Sequence, residues 1–344
     1  MKLPKQVRAA LFISREDWRD YTVQWATGIS AGFAALLVTQ RSRRLFCSRH
    51  EISMLQSQVK PGIRLIPLKK GQRLTDAIGV INGPLGINAT SLSYSTARAI
   101  QRSCKARLMD ISAELALQRE VKTREEIALI ARSCAIASRI VGEAMRRAKG
   151  RTERELARFL VERAQELADG TSFDPIVASG PNGANPHHLP SARKLHGMVV
   201  LDFGVRHKGY CSDITRTFCV GRQPTGKERE AYDRVLAAEL AGVRECVAGN
   251  NASKVVTEAV EQLGDMAPYF IHRIGHSVGV EIHDPSRTQL LEDSKDLLQA
   301  NSTFTVEPGV YFPSRFGIRI EDTVLIGERP KRLTTVGREL VVVR

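Results

Sequence analysis

No two cysteines of this 344-residue chain form a C-x-x-C pair, no segment is low in complexity, and no apolar run approaches the roughly 20 residues a membrane helix needs. The six cysteines, Cys47, Cys104, Cys134, Cys211, Cys219 and Cys246, are scattered. That spacing argues against a disulfide framework and against a thiolate zinc site, because both need closely grouped thiols. The longest apolar stretch, Trp25 to Thr39, is interrupted by Gly28, Ser30 and Gly32, so no membrane partner is expected. Residues 1–8 contain no apolar core of a secretory signal, and a cytoplasmic location is expected. What is present, 42% hydrophobic and 26% charged residues, is the composition of a folded chain long enough for two domains.

Charge is distributed unevenly. Residues 1–117 hold 18 Lys and Arg against 7 Asp and Glu, a net +11, and residues 118–344 hold 33 against 30. The basic runs Arg41-Ser-Arg-Arg44 and Lys69-Lys70 are short and lack interleaved aromatics, which favours a solvated face over a nucleic-acid site.

Apolar runs at Phe33–Thr39 and Arg44–Cys47, separated by helical stretches, predict a small α/β domain over 1–117. Residues 118–344 then read as two similar halves. An amphipathic helix over 125–147 and a second beginning after Thr152 precede strands at 176–179, 198–203 and 210–220. Helices over 226–247 and 253–263 precede strands at 269–273, 303–307 and 316–326. Thr152 with Glu155, and Thr225 with Glu228, have the spacing of capping boxes. Two helices plus antiparallel strands, repeated, predict a pseudo-symmetric α+β domain with its site between the halves.

Two motifs mislead. Gly221-Arg-Gln-Pro-Thr-Gly-Lys227 follows the phosphate-loop pattern until Glu228, which offers no hydroxyl for magnesium, while Pro224 removes a backbone N–H. Gly275-His-Ser-Val-Gly279 has the form of a hydrolase nucleophile elbow, but 280–285 reads as a strand and turn rather than a helix, and no His follows His283.

Asp202 and Asp213 carry more weight. A turn at 206–209 would set them opposite one another across a hairpin, about 5 Å apart at Cβ, amid Val199, Val200, Leu201, Phe203 and Ile214. Two carboxylates so placed require a shared proton or a cation. His276, Glu307 and Glu321 supply further donors from the second half, and Glu321 lies within an apolar strand. Four carboxylates and one imidazole form an oxygen-rich shell able to balance two divalent ions sharing a water. The plainer alternative pairs Glu321 and Asp213 with Arg319 and Arg216.

The segments Leu201-Asp-Phe-Gly204, Gly209-Tyr-Cys-Ser-Asp-Ile-Thr-Arg-Thr-Phe218, Gly275-His-Ser-Val-Gly279, Glu307-Pro-Gly-Val310 and Arg319-Ile-Glu-Asp322 together resemble, in order, the motif set of the pita-bread metallopeptidases. That family includes methionine aminopeptidase, aminopeptidase P and prolidase. The resemblance implies a pita-bread catalytic domain over 118–344 with a pseudo-two-fold repeat, and a creatinase-like α/β domain over 1–117, where Trp25-Ala-Thr-Gly-Ile29 departs from the usual Tyr-Leu-Thr-Gly-Phe.

It also implies a site. Asp202 would chelate one metal, Asp213 and Glu321 would bridge both, and His276 with Glu307 would hold the second. Manganese or cobalt is the expected metal, zinc or iron being tolerated by the same donors. Glu307 would shuttle a proton, and His187, His272 and His283 would meet the substrate. Arg287 stands where prolidases carry an arginine for the free carboxylate of a dipeptide. His50, His188, His196 and His207 match no motif position and read as surface residues. The implied activity is hydrolysis of an Xaa-Pro bond in dipeptides by a homodimer. The alternatives are aminopeptidase P action on longer peptides, or a non-enzymatic relative that binds a partner through the basic domain.

Overall fold

The computed structural model describes residues 1–344. They divide into two units, Met1–Gln118 and Arg119–Arg344.

The first unit is built on β1 (Ala9–Arg15), β2 (Phe33–Thr39), β3 (Arg43–Cys47), β4 (Ile63–Pro67), β5 (Pro84–Ile87) and β6 (Arg107–Asp110), in the order β4-β3-β2-β1-β5-β6. Its helices are α1 (Tyr21–Thr27), α2 (Ile52–Gln56), α3 (Leu74–Ile78), α4 (Tyr94–Cys104) and α5 (Ser112–Glu120), the last containing the division between the units. Successive strand side chains point to opposite faces, so the apolar runs of β1 and β2 must be covered on both sides. Phe12, Leu36 and Leu45 pack with Val23, Leu55 and Leu115 on one face. Leu11, Leu37 and Phe46 pack with Ile78, Ile100 and Cys104 on the other.

In the second unit, α6 (Arg124–Arg146), α7 (Glu153–Leu167) and α8 (Gly226–Glu245) all begin with a capping box, at Thr123/Glu126, Thr152/Glu155 and Thr225/Glu228. Each cap satisfies two otherwise orphaned backbone groups and contributes about 1 kcal/mol. α9 (Ala252–Leu263) begins at Asn251. The strands are β7 (Gly170–Thr171), β8 (Ile176–Ser179), β9 (Gly197–Phe203), β10 (Val205–His207), β11 (Tyr210–Cys211), β12 (Ile214–Val220), β13 (Thr303–Val306), β14 (Gly309–Phe312), β15 (Phe316–Arg319), β16 (Asp322–Leu325), β17 (Lys331–Arg332) and β18 (Val342–Val343).

Two cores follow the two halves. Ile140, Val141, Leu156 and Leu160 of α6 and α7 pack on Leu201, Phe203 and Phe218. Tyr232, Val235, Val255 and Ala259 of α8 and α9 pack on Phe304, Val310 and Ile318.

Three elements differ from the sequence expectation. The turn after β10 is only Lys208-Gly209, both with positive φ (47° and 81°), the two-residue hairpin type that matches strand twist. Shortening it shifts the register by two, so Asp202 faces Thr215 rather than Asp213. Alternation keeps its parity under a two-residue shift. Residues 269–273 form no strand: a 3₁₀ turn over Gly264–Tyr269 takes their start, and Pro268, lacking an N–H, suits a turn better than a ladder. Residues 280–285 are likewise irregular rather than extended.

Candidate metal centre

The second unit delivers its acidic side chains from strand ends. Asp202 sits on β9 opposite Thr215 of β12, and Asp213 occupies the irregular pair of residues immediately before β12. Glu321 fills the gap between β15 and β16, where its N–H donates to the Thr215 carbonyl at 3.1 Å. The Thr215 hydroxyl donates to Glu321 Oε2 at 2.7 Å, so one threonine aligns the two halves. Glu307 follows β13 directly.

His276 is held by its backbone. Its N–H donates to Thr305 Oγ1 at 3.0 Å, and its carbonyl accepts from the Thr305 N–H at 2.8 Å. A Cβ on Gly275 would collide with the Thr305 carbonyl, which is why glycine stands there. Nδ1 lies 3.2 Å from the Ser277 carbonyl and is assigned as the donor to it, so Nε2 faces the acids. From Nε2 it is 3.4 Å to Asp213 Oδ2 and 3.6 Å to Glu307 Oε1.

One ligand atom each of Asp213, His276 and Glu321 lie within 4.8 Å of one another. Burial drives the carboxyl groups up: Asp213 rises to about 7, reinforced by the charge of Asp202, and Glu321 and Glu307 rise as well. For His276 burial acts downward, but the hydrogen bond and charge of Asp213 outweigh it and hold the ring at about 9.

Asp202 Oδ1 and Asp213 Oδ1 are buried and have no hydrogen-bond donor. Buried carboxylate oxygens are normally satisfied. Hard oxygen donors that converge without hydrogen bonds, beside an imidazole, fit divalent cations.

The arginines are not where the plainer alternative put them. Arg216 pairs with Asp322 at 2.7 Å, and Arg319 pairs with Asp202 Oδ2 at 2.6 Å. Neither Asp213 nor Glu321 has an arginine partner among the ion pairs. Arg319 also donates to Thr215 Oγ1 at 3.1 Å and to the Tyr311 hydroxyl at 2.8 Å. Neither Thr215 nor Tyr311 was singled out from the sequence, because isolated hydroxyls carry no spacing signal.

His272 Nδ1 lies 2.8 Å from the Arg273 carbonyl and Nε2 lies 2.8 Å from the Tyr311 hydroxyl, which fixes its ring beside Glu307. The His283 ring stacks 4.0 Å from the His276 ring. Burial, chiefly, pushes the half-buried His272 down to about 4, and His283, which keeps an exposed edge, is pushed to about 4 by its packing and then by the charge of His276. His187 is exposed, and its charge is felt at both of those rings. Arg287 is also exposed, with its backbone N–H donating to Glu120 Oε2 at 2.8 Å. His50 and His196 are exposed, but His188 is not a free surface residue: its Nε2 lies 2.9 Å from the buried Glu153 carboxylate. A cavity of about 610 Å³ lined by Pro181, Tyr269, Ile271 and Pro313 shares Tyr311 with the site.

Residues 128–328 match the profile of metallopeptidase family M24, and residues 4–121 match that of the creatinase/prolidase N-terminal domain. The Xaa-Pro dipeptidase of Pyrococcus furiosus is 34% identical over 90% of this chain and 89% of that protein. Among solved structures, the prolidase from Pyrococcus furiosus superposes with a TM-score of 0.86 at 31% identity, covering 96% of this chain and 97% of that one. The X-Pro aminopeptidase from Thermotoga maritima superposes with a TM-score of 0.88 at 27% identity, covering 98% of both chains.

Proposed function

We propose that this chain, which belongs to metallopeptidase family M24, hydrolyses the peptide bond before proline, with dipeptides as its main substrates. The observation that carries this reading is the convergence of Asp213, His276 and Glu321 around carboxylate oxygens that lack donors. The proposed division assigns residues 1–117 to the creatinase-like domain and 118–344 to the pita-bread catalytic domain.

In this reading Asp202, Asp213, His276, Glu307 and Glu321 would hold two divalent cations, manganese or cobalt suiting the oxygen-rich shell better than zinc or iron. Bound there, such ions would bring the pKa of water toward neutrality and polarise the scissile carbonyl. Glu307, its carboxyl raised by burial, is suited to carry a proton to the prolyl nitrogen. His283 and His187 would hydrogen-bond the substrate backbone. His272, kept neutral and tied to Tyr311, would fix one wall of the substrate site. The apolar cavity lining suits uncharged substrate side chains.

Arg287 would grip the free carboxylate of a dipeptide, a charge-assisted pair whose loss costs about 2 kcal/mol or more. Its exposure also leaves room for a longer chain, which keeps aminopeptidase P action as the second reading. We further propose a homodimer, following the resemblance, and a cytoplasmic setting, since all six cysteines are free and buried. No helix is long and apolar enough to cross a membrane.

The test uses purified protein loaded with manganese or cobalt. Hydrolysis of an Xaa-Pro dipeptide and its loss in Asp213→Ala are expected. Inactivity on every Xaa-Pro substrate would reject the reading. An Xaa-Pro substrate and its C-terminal amide then separate the two readings: a preference for the free acid that Arg287→Ala abolishes marks a dipeptidase, and equal rates mark the longer-peptide enzyme.

A further inference from the structure

The coil between β8 and β9 carries His187, yet a buried carboxylate outside the metal centre organises it. Glu153 is the first residue of α7, fully buried, and five donors converge on it. Oε1 accepts from the Ser179 N–H at 2.7 Å and from Asn182 Nδ2 at 2.9 Å. Oε2 accepts from the Ser191 N–H at 2.9 Å and the Ser191 hydroxyl at 2.6 Å, and lies 2.9 Å from His188 Nε2. Burial pushes its carboxyl upward, but the hydrogen bonds from Ser191, Ser179 and Asn182 outweigh it and hold the group below the ordinary carboxylate range.

These donors bracket the segment from 179 to 191. Within it a chain of contacts runs to His187: the Asn185 N–H donates to the Asn182 carbonyl at 3.0 Å, and the His187 N–H donates to Asn185 Oδ1 at 3.1 Å. The residue on the other side of His187 is His188, bound directly to Glu153. Arg319 Nη1 reaches the Pro186 carbonyl at 3.4 Å, so the same coil abuts the metal centre.

We infer that Glu153 is a positioning residue for catalysis, holding the His187 segment in register with the metal centre through Asn182, His188 and Ser191. It rests on the proposed substrate contact of His187. Glu153 touches no metal ligand, so its influence on turnover passes through the coil. Glutamine at 153 would keep the shape but turn an N–H₂ toward the Ser191 N–H, leaving donors unmatched.

The experiment is a double-mutant cycle of Glu153→Gln with His187→Ala on the metal-loaded protein, with kcat, KM and metal content followed on an Xaa-Pro dipeptide. Glu153→Gln should lower kcat/KM by about tenfold or more with metal content unchanged. In the His187→Ala background the same change should cost less than about threefold, since the two act as a unit. Ser191→Ala and His188→Ala each remove one donor and leave the carboxylate in place. They should give smaller losses that also vanish without His187, and they carry the test if Glu153→Gln fails to fold.

Hydrogen exchange on the metal-free protein supplies a readout independent of turnover: residues 179–191 should exchange faster in Glu153→Gln while α6 and α8 keep wild-type protection. Wild-type kcat/KM in the variants, an equal loss with and without His187, or unchanged exchange over 179–191 would overturn the inference. Absence of Xaa-Pro hydrolysis in the wild type would instead reject the proposed function, and the exchange result would still decide whether Glu153 orders the coil.

Discussion

The second unit contains two kinds of buried carboxylate, and their surroundings move them in opposite directions. At the candidate metal centre Asp213, Glu307 and Glu321 face one another, burial raises all three, and the Oδ1 atoms of Asp202 and Asp213 lack donors. Away from it, Glu153 meets five donors, and Asp284 accepts from Arg119 at 2.6 Å and from Lys122 at 3.4 Å. Burial also acts upward on Glu153 and Asp284, yet hydrogen bonds and the neighbouring cations bring both below the ordinary carboxylate range. Burial therefore does not decide what a carboxylate is for. Donors within reach and convergence on other ligating groups decide together: Glu239 is also buried, raised to about 8 and short of a donor at Oε1, but Arg338 holds its other oxygen and it joins no cluster of ligating groups.

Removing one acid of each kind breaks the comparison most sharply. Asp213→Ala should abolish turnover by about a thousandfold or more, roughly 4 kcal/mol of transition-state stabilisation. In metal-free protein its thermal midpoint should not fall, because a crowded charge has been removed. Steady-state kinetics and a melting curve on the same preparation check both halves of this expectation.

Asp284→Ala should behave in the opposite way. It strands Lys122 and one contact of Arg119 in the interior, at a cost of about 3–5 kcal/mol in stability. Denaturant unfolding measures that loss. An unchanged midpoint would show that the pair is not worth what its burial implies.

The smallest effect concerns acid. Glu153 and Asp284 have folded pKa values depressed below the unfolded values of about 4.3 and 3.9. Their contribution is complete above those unfolded values and is lost as pH falls through the folded ones. Glu153→Gln should thus flatten the fall in stability below about pH 4, by at most about 1.4 kcal/mol per pH unit for one proton. Urea midpoints from pH 5 to pH 3 would show the two slopes converge or differ.

Much of the centre was legible because its residues sit beside local signals. Asp202 on β9 and Asp213 just before β12 stand among apolar neighbours, and His276 lies in a glycine-bounded segment, so residue type and context alone marked them as candidates. The hairpin register was not legible: a two-residue and a four-residue turn differ by whether Lys208 accepts a positive φ, which no side-chain pattern encodes. The partner of Arg319 was not legible either, and the plainer alternative of pairing Arg319 and Arg216 with Glu321 and Asp213 fails for a related reason. The partner of Arg319, Asp202, lies 117 residues away, and the pairing follows from how β15 meets β9 rather than from sequence neighbourhood. His188 reads as a surface residue because it matches no motif position, and its buried partner Glu153 lies 35 residues away, beyond any local signal.

The last strand has a consequence in time. β18 joins the catalytic sheet by pairing in parallel with Cys219 and Val220 at the end of β12, and the Gly337 and Val336 carbonyls accept from Arg216 at 2.8 and 2.9 Å. The first unit contains its own sheet, complete by Asp110, and can fold while synthesis continues. β12 must wait for 123 further residues before its edge is closed, roughly 6–25 s at ribosomal speeds. Over that interval the backbone edge at Cys219 and Val220, at the opposite end of β12 from Asp213, stays unpaired on the nascent chain, a ready template for wrong strand pairing.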